Sequence, residues 1–197
     1  MRLYWAKNTR AFRIAWLLEE SGLPYERRTI DIKDEASRAD PEFRAVSPMG
    51  KVPALVDGPA RLTDSGAICI YVADRYPETG LGPPIDHPDR ARFLQWVTYT
   101  NSVVEPAMGE RFAKLDPRPS SYGWGSFDLM LQTLKAALVP GQWILGERFS
   151  AADVLLGVSS YYLRRFGLLG PDPVLDEYAG RCQARPAWQR AQTFDAG

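Results

Sequence analysis

Histidine is nearly missing from this chain: His87 is the only one in 197 residues, and cysteine occurs only at positions 69 and 182. A mechanism built on a histidine base or a histidine metal cluster has almost nothing to draw on. The two cysteines, Cys69 and Cys182, lie far apart and show neither metal-ligand spacing nor a CxxC pair, so no dithiol centre is expected. An excess of charge of either sign is also lacking, since Lys+Arg and Asp+Glu both number 24. A surface for nucleic acid or anionic membrane needs a basic excess, and neither partner is expected. No apolar run reaches transmembrane length, and the opening MRLYWAKNTR has no signal-peptide stretch or small-residue cleavage site. These absences together describe a reduced, metal-free, cytoplasmic protein. His87 itself, between Asp86 and Pro88, reads as a surface linker residue.

What is present is ordinary globular composition. Hydrophobic residues make up 45% and charged residues 24%, which argues against disorder. The length suits one large domain or two small ones sharing an interface.

The first part alternates strand and helix signals. Arg2-Trp5 is a short aromatic strand. Arg10 to Ser21 carries apolar Phe12, Ala15, Trp16 and Leu18, with Arg13, Glu19 and Glu20 left for a wet face, and Gly22 with Pro24 stops the helix. Tyr25-Ile32 reads as a second strand, and the polar stretch Lys33 to Ser47 as one short, irregular helix. Val52-Val56 and Ala60-Leu62 form an antiparallel pair around the turn Asp57-Gly58-Pro59, and Ser65 to Tyr76 is a helix ended by Pro77. The order β-α-β-α-β-β-α is that of a thioredoxin-like domain. From Pro77 to Pro88 the chain has four prolines and two glycines, which marks a linker. Beyond it the period is helical throughout: Asp89-Lys114, Phe127-Val139, Ser150-Phe166, Val174-Gln183 and a short Pro186-Phe194. The expected architecture is therefore α/β plus all-α. A thioredoxin-like domain over 1–77 is followed by a linker over 78–88 and a helical bundle domain over 89–197.

Three local features point to one ligand. In Ser47-Pro48-Met49-Gly50-Lys51-Val52-Pro53-Ala54-Leu55, a proline follows a β-branched residue just before a strand, a plausible cis site. A cis bond there would turn the Val52 backbone outward to pair with an extended peptide. An ordinary trans proline at a strand start satisfies the same pattern. In Asp64-Ser65-Gly66-Ala67-Ile68, a strand gives way to a helix whose free N–H groups suit a carboxylate. Ser65 adds a hydroxyl donor and Asp64 an acceptor for an ammonium, so the pair matches an α-amino acid head group; plain N-capping explains it equally. The third feature, Asn8-Thr9-Arg10, opens the first helix. A thiol brought there would meet N–H groups, a hydroxyl and a cation, all lowering its pKa.

With these segments in view, LYWAKNTRAFRIAWLLEESGLPYE, SPMGKVPALVD and LTDSGAICIYVADRYP resemble the N-terminal half of the glutathione S-transferases, nearest to bacterial and fungal members whose first helix opens with an RSRSFR-like run. The resemblance continues in Trp143-Ile-Leu-Gly-Glu-Arg-Phe-Ser-Ala-Ala-Asp153-Val, similar to the family's C-terminal signature. Ser150 and Asp153 there form a capping-box variant, and Phe149 is placed as a hydrophobic staple, so this motif reads as a folding element.

The resemblance implies glutathione as co-substrate and no metal. The cysteinyl part would pair with the backbone at Val52 beside cis-Pro53, the γ-glutamyl head would sit on Asp64 and Ser65, and Lys51 would meet the glycine carboxylate. For the group facing the thiol it implies Thr9 first, then Arg10 and Asn8, and Tyr4 last; Tyr4 also suits a strand aromatic in the core. Cysteine-using classes are disfavoured, because Cys69 falls inside a helix and no cysteine lies near residues 7 to 12. The electrophile would lie between the domains against the first long helix, with Tyr99, Thr100, Val103, Met108 and Phe112 as its wall, and Trp96 and Phe93 in the bundle core. A homodimer is expected from the family. The activity so implied is transfer of the glutathione thiolate to a small apolar electrophile. The alternatives are glutathione-dependent disulfide or peroxide reduction, and a non-catalytic member that binds glutathione or a protein.

Overall fold

Four short strands, β1 (Arg2–Trp5), β2 (Glu26–Thr29), β3 (Ala54–Asp57) and β4 (Ala60–Thr63), form one sheet in the order β2-β1-β3-β4. The structure is a computed structural model, and it describes residues 1–139 and 141–196. β1 pairs parallel with β2 and antiparallel with β3, which pairs antiparallel with β4. Between the strands run α1 (Ala11–Ser21), then α2 (Glu35–Ala39) and α3 (Pro41–Val46), and after β4 comes α4 (Ser65–Arg75). This is the expected thioredoxin-like arrangement. One detail differs: the polar stretch holds two helices. Asp40, extended at φ −46° and ψ 122°, ends α2 and caps α3 by accepting from the Phe43 N–H, while Pro41 opens the new helix.

The chain divides into two compact units. The first comprises residues from Met1 to Leu81 together with the C-terminal segment from Arg185 onward, and the second runs from Gly82 to Ala184. The C-terminal helix α10 (Pro186–Ala196), read from sequence as the end of the bundle, thus packs with the first unit. The physical reason lies in α1. Every residue from Ala11 to Leu18 is buried, because this helix is covered by β1, α4 and α10. Trp188 of α10 sits edge-on to both Phe12 and Trp16, with ring centroids 4.8 and 4.7 Å apart. The wet face expected for α1 is therefore not wet. Arg13 is fully buried, Glu20 is held by Arg185 at 2.6 and 2.8 Å, and Glu19 by Arg190 at 2.7 Å.

The second unit is helical: α5 (Arg90–Tyr99), a π-helical stretch (Thr100–Val104), α6 (Glu105–Phe112), α7 (Phe127–Leu138), α8 (Ala151–Arg165) and α9 (Pro173–Gln183). The long helix expected over Asp89-Lys114 is thus helical without a break from Arg90 to Phe112 but locally underwound at its middle, at a π-bulge. α8 is the core helix, buried along almost its whole length. Its N-terminus carries the capping box. Asp153 accepts from the Ile144 N–H at 2.8 Å, the Ser150 N–H at 2.9 Å, the Ser150 hydroxyl at 3.1 Å and the Tyr178 hydroxyl at 2.8 Å. Burial still dominates and pushes its pKa up to about 6. Phe149 meets the Trp143 ring at 5.0 Å, edge to face.

Candidate active site

The strand register decides which loops meet. In β3, Ala54 stands opposite Tyr4 of β1 and opposite Thr63 of β4. Ala54 is the first paired residue of β3, whereas Trp5 and Thr63 end β1 and β4. Antiparallel pairing sets the start of one strand beside the end of its neighbour. The segments Ala6–Arg10, Val52-Pro53 and Asp64-Ser65 therefore all emerge at one end of the sheet.

The Val52-Pro53 peptide is cis. Pairing of β3 begins only at Ala54, so Val52 lies ahead of the ladder and outside its hydrogen bonds. The turn before it is fastened by buried Ser47, whose hydroxyl donates to the Lys51 carbonyl at 2.8 Å and accepts from the Lys51 N–H at 3.0 Å. Gly50 has φ 63°, which favours glycine, and a Cβ there would lie 3.3 Å from the Arg38 carbonyl and would displace the Arg44 guanidinium. The turn delivers Lys51 with its side chain exposed and in no ion pair among the described residues.

Asp64 sits at φ 72° and ψ 124°, a region that costs a non-glycine residue about 1–3 kcal/mol. Its Oδ1 caps α4 by accepting from the Gly66 N–H at 2.9 Å. The side chain is exposed, while Ser65, the first residue of α4, is buried. A carboxylate has four lone-pair sites, and the bond to Gly66 engages one of them.

At the start of α1, Asn8 also has positive φ, 56°, a conformation asparagine tolerates better than most residues. The Thr9 hydroxyl donates to the Ala6 carbonyl at 2.7 Å and accepts from the Ala11 N–H at 3.2 Å. A hydroxyl has one proton, so in this geometry Thr9 presents a lone pair, not a donor, to anything else. Arg10 is exposed. Tyr4 is fully buried in a cluster with Ile30, Phe43, Val46 and Ala54, and its hydroxyl donates to Glu42 Oε1 at 3.2 Å. Arg28 and then Tyr4 hydrogen-bond the Glu42 carboxylate and hold it below the usual carboxylate range.

A family described as glutathione S-transferase, N-terminal domain, matches residues 1–74. A glutathione S-transferase-like protein, gedE, of Aspergillus terreus is 30% identical over 72% of this chain and 69% of its own length. The chain belongs to the glutathione S-transferase family. Across nearly the full length, the Disulfide-bond oxidoreductase YfcG of Escherichia coli (strain K12) is 29% identical, covering 96% of this chain and 93% of that protein. A sphingomonad glutathione S-transferase solved in complex with glutathione superposes with a TM-score of 0.81 at 28% identity, covering 100% of this chain and 99% of that one.

Arg13, expected on the wet face of α1, is fully buried instead. It lies in the buried core of α1, close enough for its charge to reach the Cys69 thiol in α4. Burial pushes that thiol well above its usual range, Arg13 opposes the shift, and the Asp64 carboxylate adds to it. A reactive cysteine needs the reverse environment, so Cys69 is a packing residue. The available signal for Arg13 was its setting in the apolar run Phe12, Ile14, Ala15, Trp16, Leu17 and Leu18.

The residues expected to face an electrophile lie on the first helices of the second unit, and their exposure divides them. Thr100 is fully buried, its hydroxyl donating to the Trp96 carbonyl at 3.1 Å, and Tyr99 donates to the Met130 carbonyl at 3.1 Å. Met108 is buried and Val103 half-buried. Phe112 is 69% exposed and borders a cleft of about 610 Å³ shared with Leu115, Phe127, Phe166 and Leu168. Trp96 and Phe93 are buried, as expected of core residues. Among the described residues no group of three or more His, Cys, Asp or Glu side chains is placed to hold a metal, and no helix is long and apolar enough to cross a membrane.

Proposed function

We propose that the first unit binds glutathione and activates its thiol for transfer to a small apolar electrophile. The observation that carries this reading is the register: it gathers Val52, Asp64-Ser65 and the α1 N-terminus at one sheet end. In this reading Val52 pairs with the cysteinyl backbone as an added strand. Ser65 and the α4 N-terminus receive the γ-glutamyl carboxylate, Asp64 the ammonium, and Lys51 the glycine carboxylate. The sulfur then lies at the α1 N-terminus. A free thiol near pKa 8.5 is mostly protonated at neutral pH, and partial positive charge there shifts it toward the nucleophilic thiolate. Thr9 donates to that sulfur only if its proton leaves the Ala6 carbonyl; Arg10 and Asn8 are the other candidates. A cytoplasmic homodimer belongs to the same reading.

A second reading, reduction of mixed disulfides by glutathione, is favoured by the name of the Escherichia coli relative. The same thiolate attacks a sulfur in place of a carbon, and no cysteine of this chain is required.

The test is a thiolate-absorbance titration of bound glutathione, with chloronitrobenzene and hydroxyethyl disulfide assayed side by side. A lowered thiol pKa with turnover of the first acceptor is expected, and faster turnover of the second establishes the reductase reading. No binding and no turnover of either acceptor ends both and leaves a protein-binding member of the family. Thr9→Val, Arg10→Ala and Asn8→Ala then assign the thiol partner, the correct one lowering kcat roughly 10²-fold.

A further inference from the structure

The C-terminal helix runs back along α1 and ends at the turn that opens it. Arg185 pairs with Glu20 near the far end of α1, Trp188 packs on Phe12 and Trp16, and Phe194 lies edge-on to Trp5 with centroids 6.2 Å apart. The Arg27 guanidinium stacks 3.5 Å from the Phe194 ring, which fixes the helix tip over β1 and β2. One residue on, Asp195 Oδ1 accepts from the backbone N–H of Asn8 at 3.1 Å. Asn8 is the positive-φ residue of the turn, and Thr9 and Arg10 follow it directly. The Asp195 contact therefore fastens the turn at the residue where its backbone changes hand.

We propose that α10 is a positioning element of the thiol site, with Asp195 the positioning residue that holds the Asn8 backbone and so aims Thr9, Arg10 and the α1 N-terminus at the sulfur. This rests on the glutathione reading above. The carboxylate has a price in electrostatics, since a negative charge disfavours a nearby thiolate; a positioning role and a charge role therefore make opposite predictions. Asp195→Ala removes acceptor and charge together, whereas Asp195→Asn removes the charge and keeps an oxygen acceptor.

The experiment uses the full chain and three readouts: hydrogen exchange at the Asn8 amide, the pKa of bound glutathione, and kcat and KM with chloronitrobenzene. Asp195→Ala is expected to speed Asn8 exchange and lower kcat roughly tenfold, with glutathione affinity and melting temperature nearly unchanged. Asp195→Asn is expected to restore most of both. Unchanged exchange or unchanged kcat in Asp195→Ala overturns the proposal, as does an equal effect of both substitutions, which assigns the effect to charge. Wild-type protein that binds no glutathione overturns the transferase reading and this one with it. Wild-type protein that binds and conjugates, with an indifferent Asp195→Ala, overturns this one alone.

Discussion

The N-termini of α4 and α8 are built from the same residue types, an aspartate and a serine, yet they are finished differently. At α8 the Asp153 carboxylate is fully buried and takes four donors from within the chain, so its lone pairs are all committed. At α4 the Asp64 side chain is exposed, caps with one oxygen, and sits on a backbone at positive φ. One terminus is buried within its own unit; the other is exposed at a sheet end where two further loops arrive. Residue type alone does not separate a folding element from a binding element. Burial and internal satisfaction do.

The comparison breaks most readily at Asp153. Asp153→Ala leaves four buried donors without an acceptor and is expected to cost about 3–5 kcal/mol in urea unfolding. Asp64→Ala should cost only about 1 kcal/mol, the worth of one cap. Equal losses would mean that the two termini do not differ in how they hold the fold.

A pH series sharpens the same point. An unfolded aspartate titrates near 3.9, and the folded Asp153 titrates at about 6 because burial outweighs its donors. Between these values the native state holds a proton that the unfolded state has released. The associated stability is thus fully present below about pH 4 and is lost as pH rises through 6, a fall of about 3 kcal/mol. Urea unfolding at pH 4, 5, 6 and 7 measures it. Asp153→Asn should lack that slope, and a slope unchanged in Asp153→Asn would place the titration elsewhere.

Next in size is binding at the open terminus. Asp64→Ala is expected to weaken glutathione by about 10–100-fold, read by calorimetry, because an ammonium loses a charged acceptor. Asp153→Asn, where it folds, should leave that affinity nearly intact. The smallest effect is expected from Tyr4→Phe. It removes the bond to Glu42, worth about 1 kcal/mol, and should lower kcat less than substitution at the true thiol partner.

Much of this was legible in the chain. The eleven-residue step from Pro53 to Asp64 carried one hairpin, and the register Ala54 to Thr63 is what a tight turn over Asp57 to Ala60 produces. Ser150 with Asp153 announced a helix start, since a capping box is local chemistry. The side of α1 was misjudged because an amphipathic reading assumes one exposed face. Glu19 and Glu20 looked solvated, but their cations come from Arg190 and Arg185, some 170 residues later. Thr9 looked like a donor because a hydroxyl is one in principle; which acceptor holds its proton depends on where Ala6 turns its carbonyl.

By itself, then, the sequence determined what depends on neighbours along the chain: the element order, the proline and glycine positions, the helix caps and the family. The tertiary structure decided what depends on distant partners. It placed α10 with the first unit, buried Arg13 and Tyr4, and brought Asp195 to the Asn8 N–H across 187 positions. The physical reason is that local signals report a residue's propensity and chemistry. Burial, proton location and charge pairing belong to whichever surfaces the folded chain sets against each other.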